Sequence, residues 1–369
     1  MIRTFRIVDI FLAQRLLRHA TRLNPAQSLT CPRPSLWRAL LPINPLDDAK
    51  TFTYILDQRD NSVARAGLLQ ARKRPGRPEA DVTLLAPRLD AKYGHPAIWQ
   101  KLLAHFTQTA VQLGVSRIYI SAPDEPTISH TLNSVGFRAY SRQTVWRLTG
   151  ALPEKAPKLD YNQLRLQCIG DEWGLTRLYA QSTPKAVQLA EGAHSDREVS
   201  APLLDHRISG SSKSYVLVEN GRINGCVQTV VGAFGAWLTL WVDTRQPAPQ
   251  RIHLLLQQGI TSVHEVNCNL PVYIGVDEYQ GGIAPILVEY GFAPFTDVVK
   301  AVKQTMQPIR EGIRLRMPIL ETLPSVPSAP YHRQVNAIDT LLELQGVAKR
   351  FEIVSLAGNC SRDSHLSQE

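Results

Sequence analysis

Apolar and polar residues follow the same order of patterns twice along the chain. In the first copy, a run rich in β-branched and aromatic residues over 115–121 predicts a strand, and two prolines shortly after it end the strand. The apolar positions of 127–135 share one helical face, and Gly136 follows them, as glycine commonly does at a helix end. A last strand pair is expected over 137–146. The pattern therefore predicts a strand, a short helix and a strand pair in close succession.

The same succession returns over 270–301. Placing Gly136 on Gly291 sets an offset of 155 residues, and at this offset the preceding strands align without a gap. The offset also places Asp81 on Ala236, at the start of the previous apolar run in each copy. An offset that holds over roughly sixty residues predicts an internal duplication.

Each copy is expected to start with a strand and an amphipathic helix and to continue with a hairpin, a third strand and its longest helix. In the first copy these elements are predicted over 4–8, 10–23, 52–56, 63–70, 82–86 and 96–113. In the second copy they are predicted over 164–168, 171–180, 215–219, 223–230, 237–242 and 249–264. The second hairpin turns at Asn220-Gly221, which is a strong turn signal between apolar runs.

We predict two domains of similar size, 1–149 and 161–303, and expect them to pack on each other. The segment 150–160 carries prolines and lysines and is interpreted as a linker. From 304 to 369 prolines interrupt the chain, and only 335–351 keeps a helical period. We interpret this last segment as a Pro-rich C-terminal tail with one helix.

The composition is typical of a soluble globular protein, because 44% of the 369 residues are hydrophobic and 20% are charged. No apolar run approaches the roughly 20 residues that a membrane span requires. The net charge of +9 favours an anionic ligand, with a basic solubilising surface as the alternative. The Arg-rich start is also typical of a mitochondrial targeting segment, but the second copy begins in a similar way, which favours a structural role.

The five cysteines are scattered along the chain and contain no CxxC pair. This arrangement argues against a disulfide framework and against a zinc site, and it favours reduced thiols in a cytoplasmic protein. The histidines show neither HExxH nor another i, i+4 pairing, so no metal site is predicted.

The order of strand and helix, hairpin, strand, long helix, strand, short helix, Gly-Phe and final strand resembles the GNAT acyltransferase superfamily. The resemblance covers about 1–148 and 161–303, so it occurs twice. It implies an α/β (α+β) fold with two GNAT-like domains, each a mixed, mostly antiparallel sheet flanked by helices. It also implies that acyl-CoA enters a gap between the third and fourth strands, with its pyrophosphate on backbone N–H groups at the start of the long helix.

The signature of this family at the long helix, Gln/Arg-x-x-Gly-x-Gly/Ala, is degenerate in both copies. Matched to the first copy, it places Gly94 at the Gln/Arg position, Ala97 at the first glycine and Trp99 at the second. The Trp99 side chain is expected to fill space that a phosphate needs. A shifted register puts Pro96, which has no N–H, at the helix start. The second copy has no glycine at all in the corresponding 249–254.

The resemblance also implies a tyrosine, four residues before the glycine of the Gly-Phe pair, that protonates the leaving thiolate. The two corresponding residues of this chain are Leu132 and Leu287. The asparagine that often precedes the short helix is also missing, with Glu125 and Gln280 near its place. Loss in both copies favours a protein that kept the fold while the standard chemistry weakened, although family members without this tyrosine use water or another acid.

If one copy binds an acyl-CoA, the first copy is favoured because it keeps a glycine before the long helix. The predicted cofactor-binding residues are Arg88, Lys92, Gly94, Ala97, Trp99 and Lys101. The three cations among them would contact phosphates. The alternative is that Arg88 and Lys92 are solvated loop charges.

The predicted base that deprotonates an acceptor amine through a water is Glu125 or Asp124, just after the strand 115–121. The alternative is that these two acids are ordinary polar residues before a helix. In the second copy, 278–282 lies where the substrate groove would open.

Two functional hypotheses follow. The first is an acyl-CoA-dependent N-acyltransferase that transfers acetyl from acetyl-CoA to an unidentified amine, with cofactor binding in the first copy. The second is a catalytically inactive tandem GNAT-fold binding or scaffold protein. Nucleic acid is not an expected partner, because the basic loop 72–78 resembles a DNA minor-groove segment only faintly and joins two predicted strands.

Overall fold

A computed structural model describes residues 1–31, 51–58, 66–150, 163–192, 211–243 and 249–305. The predicted linker beyond Gly150 and the predicted tail beyond residue 305 lie outside these ranges. The turn of the first predicted hairpin, at 59–65, also lies outside them.

The first copy contributes seven strands and four helices to the described part of the chain. They are β1 (Ile2–Thr4), α1 (Ile10–Leu17), β2 (Thr21–Arg22), α2 (Pro25–Thr30), β3 (Thr51–Asp57), β4 (Ala66–Lys73), β5 (Glu79–Ala86), α3 (Pro96–Gln112), β6 (Arg117–Pro123), α4 (Pro126–Ser134) and β7 (Arg138–Leu148).

The second copy follows the same plan in its described residues. Its elements are β8 (Leu164–Leu166), α5 (Glu172–Ser182), α6 (Lys185–Ala190), β9 (Ser211–Glu219), β10 (Arg222–Val231), β11 (Ala236–Val242), α7 (Pro249–His264), β12 (Val272–Asp277), α8 (Ala284–Glu289) and β13 (Ala293–Gln304).

One continuous sheet runs through both copies, in the order β1-β3-β4-β5-β6-β13-β7-β12-β11-β10-β9-β8, with β2 paired to β5. The last strand of the second copy, β13, lies between β6 and β7 of the first copy. Strand β7 in turn pairs with β12 of the second copy. Each copy therefore completes its sheet with the last strand of the other copy.

The exchanged strands are related by an approximate twofold axis. Gln143 of β7 pairs with Val298 of β13, its counterpart at the offset of 155 residues. Two bulges interrupt this pairing, at Tyr140 in β7 and at Phe295 in β13, and they are also counterparts at that offset. The internal duplication is thus confirmed by strand register as well as by element order.

Helices cover both faces of the sheet. Helices α3 and α4 pack on one face in the first copy, and α7 and α8 pack on the same face in the second. Helices α1 and α5 pack on the opposite face. Val299 of β13 belongs to the core beneath α3, whereas Val298 packs on the opposite face with Trp237 and Val145. Two strand pairs, β5–β6 and β11–β12, are parallel and the others are antiparallel, so the predicted fold is confirmed.

The predicted turns and helix ends rest on backbone conformations that glycine adopts at little cost. Gly136 and Gly291 have φ of +87° and +82°, just after α4 and α8. Asn220 and Gly221 both have positive φ, as expected for a two-residue hairpin turn. Helix α7 has the predicted bounds, Pro249–His264.

The start of the chain differs from its prediction. Strand β1 is Ile2–Thr4, not 4–8, and a 3-10 turn follows at Ile7–Asp9. Helix α1 ends at Leu17, not at 23, because Thr21–Arg22 leaves the helix to pair with β5. The helical periodicity of the sequence continues through residues 18–23, so it predicts a longer helix. The pairing of Thr21–Arg22 with β5, a tertiary contact, ends the helix earlier.

The repeat is also not uniform. Glu79 lies opposite Arg117 in the first parallel pair, whereas Ala236 lies opposite Val272 in the second. Ala236 therefore corresponds to Glu79 and not, as the constant offset predicted, to Asp81. Within the described ranges, no helix is both long enough and apolar enough to cross a membrane.

Candidate functional site

Strands β11 and β12 pair over only three residues each, from Ala236 to Leu238 and from Val272 to Ile274. Beyond these residues the two strands no longer pair, and a cavity of about 230 Å³ opens beside them. Residues of β5, β6 and β7 line its other side, together with Arg74 just past β4. The cavity is therefore built by both copies, at the end of the gap in the second copy.

The lining of this cavity is mainly polar and aromatic. Its ionisable side chains are Arg74, Asp81, Glu191, Asp277 and Lys300, and its rings are Tyr119, Tyr140, Tyr279, Trp237 and Trp241. Gly275 lies between them, where a Cβ atom would collide with the Gln143 side chain. A pocket that combines aromatic walls with a few convergent polar groups is typical of a small-molecule site.

Gln280 bridges the gap between the two strands. Its amide nitrogen donates to the Leu240 carbonyl of β11 at 3.3 Å. Its amide oxygen accepts the backbone N–H of Asp277, at the end of β12, at 3.2 Å. The gap is thus held by one side chain rather than by a backbone ladder, which leaves room between the strands.

Asp277 is the carboxylate at the mouth of the gap and is buried. Lys300 of β13 donates to its Oδ1 at 2.7 Å, and the Ser141 hydroxyl of β7 donates to the same oxygen at 3.1 Å. The Tyr279 hydroxyl lies 3.4 Å from its Oδ2. The exchanged strands therefore orient this carboxylate, and the turn that follows β12 places a phenol beside its second oxygen.

A second charged cluster lies on the first-copy side of the cavity. Arg74 donates to Asp81 at 2.9 and 2.7 Å and to Glu79 at 2.7 Å, and its guanidinium lies 3.9 Å from the Tyr119 ring centre. Burial lowers the pKa of Arg74, but the two carboxylates raise it well above its ordinary value. The arginine is therefore a permanent cation whose charge Asp81 and Glu79 balance.

The tyrosines of the cavity are held in their protonated form. Burial raises the pKa of Tyr119, Tyr140 and Tyr279 above the ordinary value. The Glu191 carboxylate raises all three further, because a phenolate would be repelled by it. At neutral pH these hydroxyls can donate hydrogen bonds or a proton.

In the first copy, a tryptophan packs in the hydrophobic core beside the corresponding strand pair. Strands β5 and β6 also pair over only three residues each, ending at Asp81 and Tyr119. Trp99 is fully buried in the core that contains Val82 and Ile120 of these strands. Its indole N–H donates to the Pro87 carbonyl, just past β5, at 2.8 Å. Trp99 therefore packs in the hydrophobic core and ties α3 to the end of β5.

The start of α3 offers few N–H groups to a phosphate. Pro96 has none, and the N–H of Ala97 donates to the His95 imidazole at 3.2 Å. The N–H of Ile98 donates to the His95 carbonyl at 3.0 Å. Gly94 packs its Cα against the preceding loop, so that a Cβ atom there would collide with a backbone carbonyl.

The other predicted site residues are spread over the surface of the first copy. Arg88 pairs with Asp90 at 2.7 Å, Lys101 donates to Gln58 at 3.0 Å, and Lys92 lies 5.8 Å from the Tyr93 ring centre. Asp124 pairs with Arg142 at 3.0 Å, and Glu125 is the exposed N-cap residue of α4. None of the eight predicted residues lines the cavity at β11 and β12.

The sequence pointed to this cavity only through 278–282, from which Tyr279 and Gln280 do line it. Arg74 was noted only as part of the basic loop 72–78, and Glu191 and Lys300 were missed because they come from distant segments and carry no local motif. The strand exchange is what brings Lys300 to Asp277.

Three arginines of the second copy, one each from α5, β10 and the first turn of α7, line a second cavity. Arg177, Arg222 and Arg251 line this cavity of about 410 Å³, together with Glu219, Asn220, Asn224 and Asp243. Arg251 pairs with Glu219 at 2.7 Å. Arginines and side-chain amides beside a helix start can hold phosphate groups. Among the described residues, no group of three or more side chains is arranged to bind a metal ion.

Comparisons with known proteins agree with this architecture. A solved GCN5-related N-acetyltransferase from Sphaerobacter thermophilus aligns with 83% of this chain and 96% of its own, with a TM-score of 0.50 and 15% identity. The chain has a tandem GNAT fold. A tandem GNAT protein from the clavulanic acid biosynthesis pathway aligns with 83% of this chain and 99% of its own, with a TM-score of 0.49 and 14% identity. No protein-family model and no curated protein matches the sequence.

The gap between β11 and β12, like its counterpart between β5 and β6, is where the resemblance places acyl-CoA. In the first copy of this tandem GNAT fold, Trp99 is buried in the core and His95 caps the start of the long helix. In the second copy the gap opens onto the charged cavity.

Proposed function

We propose that this protein is an acyl-CoA-dependent N-acyltransferase whose transfer site is the cavity between the two copies. The observation that carries the proposal is that the gap between β11 and β12 opens onto a carboxylate–phenol pair, Asp277 and Tyr279. An acyl group that enters the gap would meet an acceptor amine in the cavity.

The residues of the second copy fit an acyl-CoA better than those of the first. Arg177, Arg222 and Arg251 line one cavity and would supply positive charge to the phosphates. At α3, the N–H groups of Ala97 and Ile98 are already taken by His95. Binding in the first copy remains a prediction from the sequence that these contacts do not support. When bound, acetyl-CoA or another acyl-CoA supplies the thioester that reacts.

The side chains of the cavity can move the protons that acyl transfer requires. Asp277 accepts a proton from the attacking amine nitrogen as the new bond to the acyl carbon forms. Tyr279 would donate its proton to the leaving thiolate. Because the Tyr279 hydroxyl lies 3.4 Å from Asp277 Oδ2, the proton on Asp277 can pass back to Tyr279 and restore both groups. Lys300 keeps the carboxylate oriented throughout.

A second candidate function is non-catalytic binding by the same fold. It is favoured by Leu132 and Leu287, which are buried at the positions where the resemblance expects the acidic tyrosine. The two candidates share the cavity and differ in turnover. The acyltransferase candidate also includes a cytoplasmic location, which would give the protein access to acyl-CoA.

The test is an assay of acetyl transfer to a mixture of amines, followed by chromatographic separation of CoA from acetyl-CoA. Chromatography is preferred to a thiol reagent because Cys168 and Cys268 are exposed. Asp277→Asn is expected to lower the rate by about 100-fold, because it removes the proton acceptor. Asp124→Asn and Glu125→Gln, at the predicted base of the first copy, are the matched controls and should change the rate less than about twofold.

No turnover with any amine in the wild type would favour the binding protein. A large loss in Asp124→Asn or Glu125→Gln, with Asp277→Asn unaffected, would move the site back to the first copy. Amide products identified by mass spectrometry would name the acceptor.

A further inference from the structure

We propose that the cavity contains a subsite for an organic cation, formed by Glu191 with Tyr140 and Tyr279, and that the acceptor is a diamine. One amino group would be acylated and the other would stay protonated in this subsite. The identity of the acceptor rests on the proposed function, whereas binding of the cation does not.

Aromatic rings are packed around the end of α6, where Glu191 lies. The Tyr179 hydroxyl donates to Glu191 Oε2 at 2.7 Å, and the Tyr119 hydroxyl donates to the carbonyl of Ala190, the preceding residue, at 3.1 Å. The Tyr179 ring lies 4.9 Å from that of Trp241, between ring centres. Glu191 and Trp241 both line the cavity. A carboxylate among aromatic rings is the arrangement that binds ammonium groups.

The charges of the cavity leave this carboxylate without a cationic partner among its described neighbours. Asp81 pairs with Arg74, and Asp277 pairs with Lys300. Within the part of the chain that the structure describes, Glu191 accepts a hydrogen bond from Tyr179 and pairs with no lysine or arginine. A ligand that carries a positive charge would supply the missing counter-charge.

Tyr140 is placed in the cavity by the bulge of β7. Its ring meets that of Tyr119 edge to face, with 6.4 Å between ring centres. Its side chain lines the cavity together with Glu191. Tyr140 and Tyr279 line the same cavity as Glu191 and Asp277, and both carboxylates raise the pKa of these two phenols.

The two carboxylates, Asp277 and Glu191, require opposite protonation states of the amine nitrogen beside them. The nitrogen that attacks a thioester must be neutral when it reacts, and in the proposed mechanism its proton goes to Asp277. The Glu191 subsite favours a nitrogen that stays charged, because the carboxylate and the ring faces attract a cation. A molecule with one amino group cannot meet both demands at once, whereas a diamine can.

The test measures binding of 1,4-diaminobutane by calorimetry, without any acyl-CoA, and uses uncharged 1,4-butanediol of similar length as the comparison. The diamine should bind at least about tenfold more tightly than the diol. Glu191→Gln should weaken diamine binding by about tenfold or more, because glutamine keeps an acceptor for Tyr179 and removes only the charge. Glu172→Gln, an exposed site on α5, is the matched control and should change the affinity less than about twofold.

Equal binding of diamine and diol, no binding of either, or unchanged diamine affinity in Glu191→Gln would overturn the proposal. Thermal unfolding of both variants shows that each is folded. Two further outcomes distinguish failure of the diamine proposal from failure of the acyltransferase proposal. Acylation of n-butylamine as efficient as that of the diamine would overturn the diamine proposal and leave the acyltransferase intact. Diamine binding without acyl transfer would support the cation subsite and overturn the acyltransferase proposal.

Discussion

Gln143 of β7 pairs directly with Val298 of β13, the residue that holds the same place in the second copy of the repeat. The twofold axis of the tandem fold therefore passes between two exchanged strands. This pairing joins the two copies into one sheet, and it brings Lys300 of β13 to Asp277 of β12. The candidate site is thus a consequence of the exchange.

The exchange predicts that neither copy folds alone. A fragment of residues 1–150 lacks β13, so β6 and β7 would lose the strand that lies between them. We expect this fragment to lack a cooperative unfolding transition by circular dichroism, and we expect the mixture with fragment 151–369 to regain one. Cooperative unfolding of 1–150 alone would show that the first copy is independent of β13.

Trp99 is predicted to stabilise the first copy. Trp99→Phe keeps most of the apolar contact but leaves the buried Pro87 carbonyl without its donor, which costs about 1–3 kcal/mol in the free energy of unfolding. Trp173→Phe, at an exposed tryptophan, is the control and should cost less than about 0.5 kcal/mol. Denaturant titration measures both values. A cost for Trp99→Phe no larger than that of the control would mean that the indole hydrogen bond contributes nothing.

Much of the fold could be predicted because its signals are local. Gly136, Gly291 and Asn220-Gly221 end helices or turn hairpins wherever they occur, and α7 has the predicted bounds. The exchange could not be predicted, because β7 and β13 are distant in sequence and either strand would fit its own copy by pattern alone.

The candidate site was harder to predict than the fold. A family motif placed Trp99 at a phosphate position, whereas helical periodicity places it with Leu103 and Phe106 in the core. The residues that do line the cavity are single charges from separate segments. Their proximity depends on tertiary structure, so it cannot be predicted from their spacing in the sequence.

Arg74 is predicted to be required for stability at the cavity wall. Arg74→Met would leave Glu79 and Asp81 without their shared cation, and breaking a buried ion pair on one side costs about 3–5 kcal/mol. Arg88→Met removes an arginine from an exposed pair with Asp90 and should cost less than about 1 kcal/mol. Equal losses in the two variants, measured by urea unfolding, would contradict the assigned role of Arg74.

Acid is predicted to remove the contribution of Asp171 to stability. Hydrogen bonds from Arg165 and from the Cys168 N–H lower the pKa of Asp171 from 3.8 to about 2. A lowered pKa in the folded state stabilises the protein above the unfolded pKa, and this stabilisation is lost as the pH falls through the folded pKa. Asp171→Asn should therefore be clearly destabilising at pH 7 and progressively less so between pH 4 and pH 2.

Urea unfolding of the wild type and Asp171→Asn at pH 7, 4, 3 and 2 measures this difference. Asp90→Asn, in the exposed pair with Arg88, is the control and should change stability little at any of these values. A deficit in Asp171→Asn that stays constant from pH 7 to pH 2 would show that its cause is not the ionised carboxylate.

The most direct test of the account is calorimetric binding of acetyl-CoA to the wild type and to two matched variants. Arg251→Gln removes a cation beside α7, and Lys101→Gln removes one on α3. We expect the wild type to bind, Arg251→Gln to bind about tenfold more weakly and Lys101→Gln to bind within about twofold of the wild type. Absence of binding to the wild type, or a loss in Lys101→Gln with Arg251→Gln unchanged, would contradict the placement of the cofactor in the second copy.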